Sequence, residues 1–181
     1  MTRWASPRAR WAGIPDAPDV ELNRGVVSDQ ILDAYEKLSV YLNTLGIQHT
    51  LVGGLAVGAW GYPRATRDID ILVYQNEVFD GTVFLSFKPG IPISVDGVAV
   101  DYLTVEGLGL RGAIQTAVVP LPLLFAMKLK AKRPRDDVDL MELLQSGADI
   151  KEVDAFLVDN GLTKERARFL ALVARVLEND E

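Results

Sequence analysis

Two aspartates flank a single isoleucine in the segment Asp68-Ile69-Asp70, where the neighbouring residues are apolar and typical of a buried β-strand. Residues two apart in a strand point to the same face, so both carboxylates are expected on one side of the sheet. Carboxylates crowded on a partly buried face repel each other unless a cation or a proton lies between them. Mg²⁺ relieves that repulsion, because it takes one or two protein carboxylates and completes its coordination with phosphate oxygens and water.

A glycine pair and a third aspartate extend this pattern. Gly53 and Gly54 are predicted between the end of a strand and the start of a short helix, where backbone N–H groups can approach a phosphate chain because no β-carbon intervenes. Asp101 lies in the predicted strand 98–105, which can pair beside strand 68–74. Three carboxylates on one face would form a two-ion site of the kind that stabilises in-line displacement at phosphorus.

Basic residues occur near both ends of this region. Arg64 and Arg67 directly precede the acidic strand and are expected either to meet a triphosphate or to pair with the aspartates. Thr66, between them, is expected to bond to the backbone of its own turn. Residues 128–135 contain five basic side chains, a run that usually forms a solvated helix face.

These residues must be positioned by a mixed set of secondary-structure elements. Apolar spacing predicts an amphipathic helix over 28–45 that ends at Gly46, and a short helix directly after Gly54. Period-two patterns predict strands at 47–52, 68–74, 82–87 and 98–105, with a short edge strand at 90–94. From Pro120 onward the pattern is helical, with four helices predicted at 121–132, 135–144, 149–159 and 163–178.

Composition limits the class of protein. The chain has 181 residues, a net charge of −6 and no cysteine, which argues against a disulfide framework, a thiolate zinc site and bulk electrostatic coating of nucleic acid. No segment reaches the roughly 18 apolar residues of a membrane span. We therefore expect a cytoplasmic protein without membrane association. The order of the predicted elements divides the chain into a tail at 1–25, an α/β catalytic core at 26–118 and a helical region at 119–181.

The order "VGG", "DIDIL", "VAVDYL" resembles the DNA polymerase beta-like nucleotidyltransferase superfamily. Within it, "GYPRATRDIDILV" followed by "LLFAMKLKAKRPRDDVDLMELL" is similar to the small AbiEii-type, toxin-like nucleotidyltransferases. The resemblance covers roughly residues 51–144. It implies an α+β fold, with a nucleotidyltransferase-like mixed β-sheet, flanking helices and a helical C-terminal half. Many superfamily members have Gly-Ser where this chain has Gly53-Gly54, so one hydroxyl that could touch phosphate is absent.

The resemblance also implies an activity, the transfer of a nucleoside monophosphate from an NTP to an acceptor hydroxyl with Mg²⁺. Asp68 and Asp70 would be metal ligands, and Asp101 a third ligand or the base that takes the acceptor's proton. Lys128 would act on the phosphates as a catalytic residue. The residues implied in nucleotide binding are Gly53, Gly54, Arg64, Arg67 and Arg135.

The acceptor stays open between the 3′ end of tRNA or another RNA, a protein side chain and a small molecule. The resemblance to toxin-like members also implies that the chain is the toxin of a toxin–antitoxin pair, with an antitoxin protein as a further partner. The alternative is a non-catalytic nucleotide-binding or partner-binding module that retains the fold, and a third reading is a structural domain with surface aspartates. The orientation of Asp101 separates the first two, because a two-ion site requires it to face Asp68 and Asp70.

Overall fold

The computed structural model describes residues 14–74, 77–79, 84–86, 93–105 and 116–178. They belong to two compact units. The first, called the sheet unit, comprises Val20–Ala59 and Pro63–Pro120. The second, called the helical unit, contains the described residues of 14–19, 60–62 and 121–178.

The sheet unit begins with alternating helices and strands and ends with consecutive strands. A 3₁₀ turn at Val20–Asn23 precedes two helices and six strands: α1 (Asp29–Thr44), β1 (His49–Val52), α2 (Gly53–Ala59), β2 (Asp68–Val73), β3 (Glu77–Phe79), β4 (Phe84–Ser86), β5 (Ile93–Val95) and β6 (Val98–Thr104). Four of the strands form one sheet in the order β1-β2-β6-β5, while β3 and β4 form a separate antiparallel ribbon. The sheet is mixed, because β2 and β6 run parallel whereas the outer strands pair antiparallel to them.

Alternate residues of the two central strands, β2 and β6, face the core. Ile69 and Ile71 in β2 and Val98 and Val100 in β6 are all buried, as their apolar alternation predicts. Helix α1 packs against β2, β5 and β6 and contributes the buried residues Ile31, Leu32, Ala34, Leu38 and Leu42. The intervening positions of β2 and β6 point to the other face, and these include the aspartates.

The turn between β5 and β6 orders one edge of the sheet. Asp96 and Gly97 both have positive φ, 50° and 79°, as a two-residue type I′ hairpin requires. The Nε2 of Gln30 donates a hydrogen bond to the carbonyl of Asp96 at 2.9 Å, and Lys37 pairs with the Asp96 carboxylate. The edge strand predicted at 90–94 is confirmed at residues 93 and 94, since β5 spans Ile93–Val95, and positions 90–92 lie outside the described residues.

The helical unit consists of α3 (Leu121–Ala131), α4 (Pro134–Gln145), α5 (Ile150–Asp159) and α6 (Thr163–Glu178). Pro134 opens α4 at a position where its missing N–H costs nothing. Asp149 caps α5 by accepting hydrogen bonds from the backbone N–H groups of Lys151 and Glu152. Phe125 and Phe169, both fully buried, meet edge to face with ring centroids 5.8 Å apart, and join α3 to α6.

Most elements agree with the sequence-based expectation within one or two residues, and the mixed α+β class with a helical C-terminal half is confirmed. Two differences stand out. Helix α2 includes both glycines rather than starting after them, and strand β3 was not predicted. Strand β4 covers residues 84–86 of the expected strand 82–87, whose remaining positions lie outside the described residues. In the described part of the chain, no helix is both long and apolar enough to cross a bilayer.

Candidate functional site: an acidic sheet face and a buried ion triad

Three aspartates lie on one face of the sheet, and we call Asp68, Asp70 and Asp101 the acidic face. Asp70 in β2 and Asp101 in β6 are register partners in the parallel pair, which places their Cα atoms about 4.8 Å apart. Asp68, two residues before Asp70, shares its face. Asp68 and Asp70 are half-buried and Asp101 is exposed. Asp101 therefore lies on the same side as Asp68 and Asp70.

The donor chemistry of the acidic face suits a hard divalent cation. Asp70 and Asp101 offer carboxylate oxygens from adjacent strands, and Mg²⁺ commonly binds one or two carboxylates together with phosphate oxygens. Within the described ranges, no group of three or more His, Cys, Asp or Glu side chains is arranged to hold a metal ion. Asp70 and Asp101 are register partners, and the binding of Mg²⁺ at the acidic face, as one ion or two, stays a prediction.

Gly53 lies directly against the carboxylate of Asp70. Because Val52 at the end of β1 pairs with Asp70, the next residue turns close to that side chain. Gly53 has φ +66°, and a β-carbon built on it would be 1.7 Å from Oδ2 of Asp70 and 2.3 Å from its Cγ. Both the backbone and the space therefore require glycine at this position, and any side chain there must displace Asp70.

Gly54 is covered by two side chains of the loop that leads into β2. A β-carbon at Gly54 would lie 2.9 Å from Oγ1 of Thr66 and 3.4 Å from Nη1 of Arg64. The same Thr66 hydroxyl donates a hydrogen bond to Oδ1 of Asp68 at 2.8 Å. Thr66 thus bonds to the acidic face rather than to its own turn, which sequence reasoning missed. A hydroxyl two residues before an aspartate is too common a pattern to signal this contact by itself.

The two arginines of this loop differ in their surroundings. Nη1 of Arg64, half-buried beside Gly54, donates to the carbonyl of Ala65 at 3.2 Å. Arg67 is exposed. The structure therefore brings Arg64 to the glycine turn and leaves Arg67 at the surface of the sheet unit.

Lys128 lies in the helical unit, where it forms what we call the ion triad with Asp136 and Asp139. Its Nζ donates to Oδ1 of Asp136 at 3.1 Å and to Oδ2 of Asp139 at 2.6 Å. All three residues are buried, Asp139 completely. Asp136 has a second role, because its Oδ2 accepts the backbone N–H of Arg133 and caps α4.

The ion triad follows from helix geometry. Asp136 and Asp139 are three residues apart on α4 and so share one side of it, and Lys128 reaches them from the last turn of α3. Sequence reasoning placed Lys128 and Arg135 at phosphates; in the structure the Lys128 ammonium is held by two carboxylates, and Arg135 is exposed. The signal that could have revealed the triad was the Asp-x-x-Asp spacing on one side of α4, after a lysine within the largely apolar α3.

Comparison with known proteins adds no assignment. No model of a known protein family matches the chain, and no curated protein matches it.

Proposed function

We propose that the protein is a Mg²⁺-dependent nucleotidyltransferase that moves a nucleoside monophosphate from an NTP to an acceptor hydroxyl. The observation that carries this proposal is the register pairing of Asp70 with Asp101, with Gly53 packed directly against the Asp70 carboxylate. It places oxygen ligands of the kind that Mg²⁺ prefers beside a turn made of two glycines.

Asp70 and Asp101 would hold Mg²⁺, with Asp68 as their neighbour on the same face. Bound Mg²⁺ would supply positive charge to the triphosphate and help to orient it. Asp70 and Thr66 occupy the space where β-carbons of Gly53 and Gly54 would lie. Arg64 provides a cationic group beside the same turn. The chain's own contribution to catalysis is therefore positioning and electrostatic stabilisation.

The reaction forms a bond between the acceptor oxygen and the α-phosphorus and breaks the bond from that phosphorus to the pyrophosphate oxygen. Asp101, the most exposed of the three aspartates, takes the proton of the acceptor hydroxyl. We assign Lys128 to holding α3 against α4, since both of its carboxylate partners are buried with it. The action of Lys128 on the phosphates, which the family resemblance implies, stays a prediction.

Transfer of labelled nucleotide tests the proposal. The full chain is incubated with each α-³²P-labelled NTP and Mg²⁺ against tRNA, total RNA, cell protein and small hydroxyl compounds. Label transfer is expected to at least one acceptor and to be lost in Asp70→Asn. Asp33→Asn is the matched control, because Asp33 is an exposed aspartate on α1 of the same unit. Equal transfer by Asp70→Asn and the unaltered chain would refute the proposal.

Expression of the chain in growing cells tests the proposal that it is the toxin of a toxin–antitoxin pair. Expression of a toxic nucleotidyltransferase should arrest growth, and Asp70→Asn should relieve the arrest. Growth arrest that persists in Asp70→Asn would separate toxicity from nucleotide transfer and contradict this part of the proposal.

One observation favours the binding-only alternative. The three aspartates share a face, yet within the described part of the chain their side chains are not gathered into a three-residue metal group. A module that binds nucleotide without catalysis would show saturable NTP binding, by equilibrium dialysis, with no label on any acceptor. Binding that is unchanged in Asp70→Asn would favour it further.

A further inference from the structure

Helix α6 carries apolar side chains on its outer side as well as on the side that packs within the helical unit. Its buried residues are Phe169, Leu172 and Val176. At about 3.6 residues per turn, Leu170 and Leu177 point away from that buried side, and they are 43% and 48% exposed. A surface helix ordinarily has charged and polar residues on its outer side. A contiguous apolar patch there marks a surface at which another protein binds.

Four exposed apolar residues follow one another along this outer side at alternating intervals of three and four residues. We call them the outer stripe: Ala167, Leu170, Ala174 and Leu177. This spacing is that of the seam along which two helices pair in a coiled coil. Alanine and leucine alternate along it, so a second helix of the same sequence that runs in the opposite direction can place an alanine against each leucine. Large side chains that face small ones allow two helices to interlock at close range.

We propose that the outer stripe binds the outer stripe of a second copy of this chain, with the two α6 helices antiparallel. Leu170 meets Ala174 of the second copy and Leu177 meets Ala167 of the second copy, and each contact occurs twice about a two-fold axis. Two-fold symmetry is the commonest symmetry among soluble oligomers. Neither nucleotide transfer nor a bound cation is needed for this pairing, so it is independent of the proposed function.

Charges at the two ends of the outer stripe favour the antiparallel orientation. Lys164 lies beside the N-terminal end and Glu178 beside the C-terminal end, and both side chains are exposed. When each leucine meets an alanine in the antiparallel pair, Lys164 faces Glu178 of the second copy, and the same contact recurs at the other end. In a parallel pair these two residues would lie about 21 Å apart along the axis. Charged residues that flank the seam set the partner and the orientation of paired helices.

Sedimentation velocity of the full chain tests the pairing directly. One pair of helices forms a small interface, so a Kd in the micromolar range is expected. The dimer should then be populated at a chain concentration of about 0.1 mM. Leu170→Lys places a charge in the seam twice and should weaken the dimer by about 100-fold or more. Val40→Lys is the matched control, because Val40 on α1 is 60% exposed and its replacement should leave the Kd unchanged.

Exchange of charges tests the antiparallel orientation. Lys164→Glu alone brings glutamates together at both ends of the seam, and Glu178→Lys alone brings lysines together there. Each variant should weaken its own dimer by about 5- to 30-fold at low ionic strength. An equimolar mixture of the two variants should recover a Kd within about threefold of that of the unaltered chain, because both ends then pair a lysine with a glutamate.

Single thiols measure how the two helices are aligned, since the chain has no cysteine. In the proposed pairing Ala171 lies about 3 Å along the axis from Ala171 of the second copy, whereas the two copies of Ala167 lie about 15 Å apart. Both alanines are exposed. Disulfide formation requires the Cα atoms to approach within about 7 Å. Ala171→Cys should therefore cross-link under mild oxidation much faster than Ala167→Cys.

Each outcome supports or overturns the proposal. Every replaced side chain is exposed, and circular dichroism with thermal melting confirms that each variant is folded. A chain that stays monomeric at the highest concentration overturns the proposal and leaves the outer stripe to a different partner. A dimer that Leu170→Lys does not weaken overturns it as well, because another surface would then hold the two copies together. Loss of the dimer in both charge variants without recovery in their mixture overturns the antiparallel pairing.

Discussion

The acidic face and the ion triad place aspartates in opposite environments. In the ion triad, Asp136 and Asp139 are buried and share the ammonium of Lys128. In the acidic face, Asp70 and Asp101 are adjacent in register, with Asp70 half-buried and Asp101 exposed. The first arrangement pairs buried carboxylates with a cation of the protein, whereas the second places two carboxylates side by side on adjacent strands, nearer to solvent.

This difference separates structural from functional roles of the same residue type. A buried carboxylate must be paired, since an isolated ion in the interior is very costly. A carboxylate at the surface of a sheet tolerates a like-charged neighbour at a small cost, because water screens the repulsion. Removal of one charge should therefore destabilise the fold at the ion triad and stabilise it slightly at the acidic face.

The largest effect is expected from Lys128→Met, which leaves two buried carboxylates without their cation. The free energy of unfolding should fall by about 3–5 kcal/mol, measured by urea denaturation at neutral pH. The triple variant Lys128→Met, Asp136→Asn and Asp139→Leu should recover most of this loss, because apolar and neutral groups of similar size replace the ions. A loss well below about 1 kcal/mol in the single variant would mean that the pairing is weak.

The next effect concerns the contact between Gly53 and Asp70. Gly46→Ala is the matched control, because Gly46 has φ +68° with nothing near its would-be β-carbon, whereas Gly53 has φ +66° and the Asp70 carboxylate at 1.7 Å. We expect a cost of about 1 kcal/mol for Gly46→Ala from the backbone alone. Gly53→Ala should cost about 2–3 kcal/mol, because the displaced carboxylate adds to the strain. Equal costs would show that Asp70 moves freely.

A small effect of opposite sign is expected in the acidic face. Asp101→Asn removes one of two like charges on adjacent strands, and without divalent cations it should stabilise the protein by about 0.2–1 kcal/mol. Added Mg²⁺ should raise the melting temperature of the unaltered chain more than that of Asp101→Asn, since binding to the folded state alone shifts the equilibrium. Destabilisation by Asp101→Asn in the presence of EDTA would contradict the comparison.

The smallest effect is expected at a half-buried pair in the helical unit, where Arg166 donates to both carboxylate oxygens of Asp154 at 2.7 and 3.1 Å. These hydrogen bonds hold the pKa of Asp154 below its ordinary value of 3.8. A lowered pKa stabilises the fold above the ordinary value, and the contribution is lost as the pH falls below 3.8 toward the folded-state pKa. Asp154→Asn should flatten the pH dependence of the melting temperature in that acidic range and leave its slope near neutrality unchanged.

Local patterns predicted the elements more completely than the contacts between them. The helices of the C-terminal half were found within one or two residues, because apolar spacing, Pro134 and the Asp149 cap act within a few residues of the chain. The acidic strand was also placed correctly, whereas the glycine pair was predicted to precede α2 and lies within it. Short strand β3 was missed, since three residues carry too little periodicity to be recognised.

Contacts that join distant residues could not be read in advance. The link from Thr66 to Asp68 is only two residues long, but its support by Gly54 depends on how the loop folds back over α2. The pairing of Lys128 with Asp136 and Asp139 depends on the packing of α3 on α4. From residue type alone, Lys128 was expected at phosphate and Thr66 at the backbone of its own turn. Packing decided their actual partners.

The sequence by itself determined which residues carry charge, which positions alternate into the core and where helices begin and end. These properties depend on neighbours within a turn of helix or a pair of strand positions, so they are readable from spacing. Only the tertiary structure decided that Asp101 stands beside Asp70 and that Lys128 is neutralised in the interior. Strand register and helix packing join residues far apart in the chain, and they decide which carboxylates are buried with a cation of the protein and which lie nearer to solvent.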